Sequence, residues 1–196
     1  MRLFTTLICI LSSLHLLAQN STNRNWIHTE VEFVDSVGNK LIVTNSLPKG
    51  GGNYRDPTGN MYSYLIFWYR VTNNSEVPLE LTLEFPAKPF EIFPSSDSHI
   101  RIFLPPENMS FEKIERHDYG VENLKGFLDA EFNKSSGLQR IIDPGEESLF
   151  YISILVHEAE GTARSSLVMK GEDLFYQISI DPDSDVIPCG QISFKD

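Results

Sequence analysis

Met61-Tyr-Ser-Tyr-Leu-Ile-Phe-Trp-Tyr-Arg-Val-Thr-Asn73 is the stretch that decides the fold of this 196-residue chain. It is apolar and aromatic at both odd and even positions, so both of its faces want cover. A strand of that kind belongs in the middle of a sheet packed on each side, or at the centre of a sandwich. On its C-terminal side, Asn73-Asn74-Ser75-Glu76 carries turn residues. Beyond them Leu79, Leu81, Leu83 and Phe85 alternate with Glu80, Thr82 and Glu84. The period of two predicts a second strand with one face in the core and one in water, paired with the first as a hairpin.

On the N-terminal side, Asp56-Pro57-Thr58-Gly59 has the residues of a type I turn. Before it, Lys49 to Gly52 reads as a glycine-rich loop. Further upstream, Ile27, Thr29, Val31 and Phe33 alternate with His28, Glu30 and Glu32, and Val37-Gly38-Asn39 turns the chain into a strand at Lys40 to Thr44. Downstream, strands are predicted at 99–104, 110–115, 138–142, 149–157, 165–170, 174–180 and 191–195. Prolines 86, 89, 94, 105 and 106 punctuate the middle. One helix is expected over Val121 to Phe132, where Leu124, Phe127, Leu128 and Phe132 recur at helical spacing despite Gly126. The fold expected is all-β: an antiparallel sandwich of about nine or ten strands with one short crossover helix.

Two segments carry a family resemblance. Val71-Thr72-Asn73-Asn74-Ser75-Glu76-Val77-Pro78-Leu79 resembles the hairpin of immunoglobulin-like modules of exported bacterial proteins, and Ile142-Asp143-Pro144-Gly145-Glu146-Glu147 followed by Phe150-Tyr151-Ile152 resembles their Pro-Gly-Glu turn feeding a late strand. The resemblance implies an immunoglobulin-like sandwich and carries no activity with it.

Met1 to Ala18 has the form of a secretory signal: Arg2, an apolar run from Leu3 to Leu17, and small Ala18 before a polar stretch. The mature part, 19–196, is expected to be a single domain. Thr6-Leu7-Ile8 lacks the small residue that a lipoprotein signal places before its cysteine, so the product is expected to be soluble in the periplasm or outside the cell, with neither a lipid anchor nor a membrane span. Of the two cysteines, Cys9 leaves with the signal. Cys189 then has no intramolecular partner and is expected to pack as a small apolar residue. The formal net charge of −11 and the lack of a Lys/Arg cluster argue against nucleic acid as a partner.

Candidate chemistry is sparse. Asp181, Asp183 and Asp185 alternate as calcium ligands can, but Val186 and Ile192 stand where an EF-hand needs Gly and Glu. Ser46-Leu-Pro-Lys49 and Ser110-Phe-Glu-Lys113 match S-x-x-K without the companion motifs of that chemistry. His28, His99, His117 and His157 each sit beside a strand or an acidic neighbour, and His157-Glu158-Ala159-Glu160 could contribute to a transition-metal site, but with no second cluster at matching spacing they read as surface residues at a strand end. Trp26, at the front of the first strand, is the aromatic most free to stack on a sugar, while Trp68 belongs to the core. Sequons begin at Asn20, Asn73, Asn108 and Asn133, three of them in loops, and serve as glycan sites if the source makes N-glycans.

With no catalytic set assembled and no cofactor expected, the reading is an exported, non-enzymatic module binding a protein or polysaccharide through its surface. The alternative is a secreted hydrolase or carbohydrate-active domain drawing carboxylates such as Glu30, Glu32, Glu80 and Glu84 from separate strands. A third possibility is a component that adds a strand to a partner sheet through an uncovered edge.

Overall fold

The computed structural model describes residues 26–92, 97–159, 161, 163–179 and 186–195. The expected signal at 1–18 and the aspartates Asp181, Asp183 and Asp185 lie outside them. Twelve strands are found among the described residues: β1 (Ile27–Val34), β2 (Lys40–Ser46), β3 (Lys49–Arg55), β4 (Met61–Asn73), β5 (Leu79–Phe85), β6 (Phe90–Glu91), β7 (His99–Phe103), β8 (Ser136–Ile142), β9 (Glu147–His157), β10 (Ser165–Lys170), β11 (Asp173–Ile178) and β12 (Val186–Phe194). They form two antiparallel sheets. The first runs β1-β2-β4-β9-β7-β6 with β3 alongside β4, and the second runs β10-β11-β12-β5-β8. Among the described residues no helix is long and apolar enough to cross a membrane.

The decisive strand behaves as its composition demands. Phe67, Tyr69 and Val71 of β4 point into the space between the sheets, where they meet Leu79, Leu81, Leu83 and Phe85 of β5 and Phe150, Ile152 and Ile154 of β9. Ile66 and Trp68 point the other way, into a second cluster with Met109, Ile114, Tyr119 and Tyr151. That outer face is roofed by the segment between β7 and β8. It contains a 3-10 turn at Phe111–Lys113 and the one α-helix described, α1 (Leu124–Glu131). Leu128 of α1 and Phe132 beyond it pack on Tyr54, Tyr62, Phe103 and Leu155. The expected crossover helix is thus present, three residues shorter at its start and one at its end, and it links the first sheet to the second.

The count of nine or ten strands is too low, and three local expectations are also corrected. Residues 110–115 are not a strand; the short alternation there belongs to the roof. Lys49 to Gly52 is not a loop but the start of β3. A Cβ on Gly52 would lie 2.6 Å from the Tyr64 ring and one on Gly50 2.7 Å from the Tyr64 carbonyl, so glycine is what lets β3 approach β4. The last strand begins at Val186 rather than Gln191. Pro188 fits because β12 at that point pairs with β11 alone, β5 joining only from Gly190 onward.

The predicted hairpin between β4 and β5 is absent, since they belong to different sheets. The chain crosses between sheets at Asn73–Pro78 and crosses back at Asp143–Glu146, and the two crossings lie against each other. Asn73 N donates to Glu146 O at 2.9 Å and Gly145 N donates to Asn73 O at 2.9 Å. The two segments that carried the family resemblance therefore form one double corner. Both flanks of the sandwich are stitched as well: Leu167 N of β10 donates to Asn45 Oδ1 of β2 at 2.9 Å, and Leu104 N donates to Ser136 Oγ of β8 at 2.7 Å.

Candidate functional site

At one end of the sandwich the sheets part. The β1–β2 turn is built on Asp35, whose carboxylate accepts Val37 N at 2.9 Å and Asn39 N at 2.8 Å while Asn39 Nδ2 donates to its second oxygen. Desolvation pushes the Asp35 carboxyl up, but these hydrogen bonds outweigh it and hold it below the usual carboxylate range. The turn projects Val37, 81% exposed, over an opening of about 610 Å³. Phe33, Leu41, Met169, Ile192 and Phe194 make its apolar floor, and Asp35 and Glu172 stand at its rim. β1, which ends at this cleft, is an edge strand. Among the described residues it pairs with β2 alone, and Val31 and Val34 are 43% and 54% exposed. Edge strands with apolar side chains in water are places where a further strand can add.

The four carboxylates considered for hydrolysis do not converge. Glu30 bonds Thr44 Oγ1 at 3.0 Å and Arg70 at 3.1 Å on the first sheet, and Glu32 pairs with Lys40 at 3.6 Å. Glu80 and Glu84 lie on the second sheet, Glu80 bonded to Lys195 and to Gln139 Nε2. Neither S-x-x-K pairs its own serine and lysine. Ser46 Oγ accepts the buried Trp68 amide at 2.8 Å, and Lys49 Nζ donates to the carbonyls of Ile114 and Arg116. Lys113 Nζ meets Glu107 Oε1 at 2.8 Å and Asn108 O at 3.0 Å.

Trp26 is not the free stacking platform expected. The Lys49 ammonium sits 4.1 Å from its ring centre, Tyr119 packs edge-on at 6.0 Å, and its indole N–H donates to Glu115 Oε1. Desolvation lowers the pKa of Lys49, against the pull of Glu115 and Asp118. Asp118 and Tyr119 hold left-handed φ of 50° and 53°. They are kept there by Tyr64 Oη donating to Asp118 Oδ2 at 2.7 Å, Tyr119 Oη to Leu47 O at 2.6 Å, and Tyr151 Oη to Tyr119 O at 2.8 Å. This cluster locks the roof onto the sheet. Trp68 is buried, as expected.

Of the sequons, Asn108 and Asn133 are exposed, whereas Asn73 is fully buried with both amide hydrogens in use, to Val77 O at 2.8 Å and Ile142 O at 2.9 Å. Asn73 is thus a structural residue and no glycan acceptor.

Cys189 is buried between the sheets, and burial pushes its thiol up to about 12. At pH 8 the native protein is therefore expected to react with a disulfide reagent only at the rate of unfolding, whereas protein in concentrated urea reacts at once. A rapid stoichiometric reaction of the native state would contradict that placement.

The histidines give the one grouping that sequence reading did not find. His28 and His117 stay apart, His117 beside Asp118 at 3.2 Å, but His99 and His157 are in-register partners across β7 and β9. Their ring centres are 4.8 Å apart, with the Tyr62 ring against both. The signal was available only through strand register, because the two residues lie in different strands far apart in sequence. In comparisons with known proteins the chain matches no family model, no curated protein and no solved structure.

Proposed function

We propose that this chain is an exported, non-enzymatic module of immunoglobulin-like type that binds a partner protein by accepting one extended segment of it along β1. The observation that carries this reading is an edge strand that, among the described residues, is paired on one side only and runs into a cleft of about 610 Å³ with apolar side chains in its floor and polar ones around them. The backbone of β1 supplies hydrogen bonds independent of sequence, and the cleft supplies selection for an apolar side chain. Glu30, Glu32, Asp35 and Glu172 surround that path in a chain of net charge −11, so the segment alternates basic and apolar residues. A protein strand is favoured over a polysaccharide because the cleft lies at the end of an edge strand, whose backbone donors and acceptors match another extended chain. The two-sheet core and its double corner support the immunoglobulin-like form, the first sheet being widened by β1, β3 and β6. The apolar leader at 1–18 supports export and a soluble product.

A labelled peptide of alternating Lys and Val is expected to bind saturably and to slow hydrogen exchange at the amides of Ile27–Val34. Val34→Lys weakens it by charge repulsion. Binding of a glycan from a panel with no change at β1, or hydrolysis of any glycoside, ester or peptide in such a panel, would overturn the reading.

A further inference from the structure

His99 Nδ1 lies 2.8 Å from Asp97 O, and His157 Nδ1 lies 2.8 Å from Met61 O. A carbonyl only accepts, so each Nδ1 carries the ring hydrogen and each neutral ring keeps its lone pair at Nε2. Metal-ligating histidines are oriented in this way, the far nitrogen tied to a carbonyl and the near one left basic. His157 Nε2 stands 3.8 Å from Glu158 Oε1. In the neutral ring that lone pair faces a carboxylate, an arrangement that a proton satisfies as an ion pair and a metal ion satisfies by coordination. Glu158 is held for this by a left-handed φ of 49° and by Ser98 Oγ donating to its carbonyl. On the other ring, His99 Nε2 accepts the Tyr62 hydroxyl at 3.2 Å. Tyr62 and Glu158 line an opening of about 480 Å³ beside the two rings, and both histidines are themselves part-exposed.

We propose that His99 and His157 form a binding site for a divalent transition-metal ion of the zinc type, with Glu158 as the third ligand and water completing the shell. Two imidazole nitrogens and a carboxylate oxygen are the donors such an ion takes in open, exchangeable sites. As the side chains lie, no three His, Cys, Asp or Glu groups among the described residues are placed to hold a metal ion. The ion therefore binds by drawing in the Glu158 carboxylate and displacing the Tyr62 hydroxyl from His99.

The test is titration of the full chain with Zn²⁺, followed by calorimetry and by the ring nitrogen resonances of the histidines. One ion per chain is expected, with the Nε2 signals of His99 and His157 moving together. His99→Gln and His157→Gln each weaken binding by at least about tenfold, and His117→Gln leaves it unchanged. Tyr62→Phe keeps the aromatic packing and removes the competing hydroxyl, so it tightens binding; a residue that only packed the strands would not do so. No heat at millimolar Zn²⁺, or binding that survives both histidine substitutions, would refute the site, as would looser binding by a folded Tyr62→Phe variant.

Discussion

Replacing Gly190 with alanine is expected to lower the stability of the domain by roughly 3 to 5 kcal/mol, enough to unfold much of it at room temperature. Gly190 has φ of 150°, which an L-residue rarely adopts. A Cβ added there would sit 1.9 Å from the carbonyl oxygen of Thr82 and 2.8 Å from its carbon. These are backbone atoms of β5, the neighbouring strand, so no rotamer change relieves the overlap. The close approach has a visible origin. Leu174 pairs with Gly190 but Phe175 pairs with Pro188, leaving Cys189 as an extra residue in β12. The bulge swings the strand toward β5 where that pairing begins. Gly137→Ala is the matched control, since its Cβ would make an ordinary 3.6 Å contact with Leu83 O. Urea unfolding of the two variants checks the prediction. A Gly190→Ala protein as stable as Gly137→Ala would show that β12 and β5 are not this close.

Asn73→Ala is expected to be nearly as damaging, at about 3 to 4 kcal/mol. The side chain is fully buried, donates to Val77 O and Ile142 O, and accepts from Ser75 N at 3.0 Å and Ser75 Oγ at 2.7 Å. Truncation leaves the buried Ile142 carbonyl without this donor and Ser75 N without its acceptor, while Val77 O keeps Ser75 Oγ at 2.9 Å, and each unsatisfied group costs about 1 to 3 kcal/mol. Asn73→Asp separates geometry from size: the shape is retained, but a carboxylate faces the carbonyls of Val77 and Ile142, so it destabilises at neutral pH. Chemical denaturation of both variants is the measurement. A loss under about 1 kcal/mol for Asn73→Ala would mean that the double corner is held by its main-chain bonds alone.

How far the sequence could be read is clear at these same positions. The period of two in β1 and β5, the turn before β2 and the two-faced apolarity of β4 are local properties, and the strands stand where they indicate. The partner of each strand is a different matter. Asn73 through Pro78 reads as a hairpin turn because its residues are those of any tight turn. That it carries the chain to the other sheet depends on Ile142, Gly145 and Glu146, far along the chain. β3 was hidden for a related reason: three consecutive glycines signal a loop, and only the Tyr64 ring across the strand pair explains them. The short 110–115 segment shows the opposite failure, in which an alternating pattern was spent on roofing a sheet.

Less of the candidate sites was legible. The exposed valines of β1 gave no sign that the strand lies at an edge, because an edge is a fact of topology. His99 and His157 were each noticed and set aside, since only the β7–β9 register brings them face to face. Trp26, chosen for its position at the start of β1, proved to be occupied by Lys49, which no local pattern connects to it.

The place of β4 at the middle of its sheet also governs the order in which this protein can become itself. Its Trp68 pairs opposite Tyr151, and β5, facing it across the core, waits for both β8 and β12. A nascent chain therefore displays this aromatic-rich thirteen-residue segment long before the strands that shelter it have been synthesised. Such distant pairings close slowly, and the half-made chain is a natural client for whatever cellular machinery keeps unfinished polypeptides from sticking to one another.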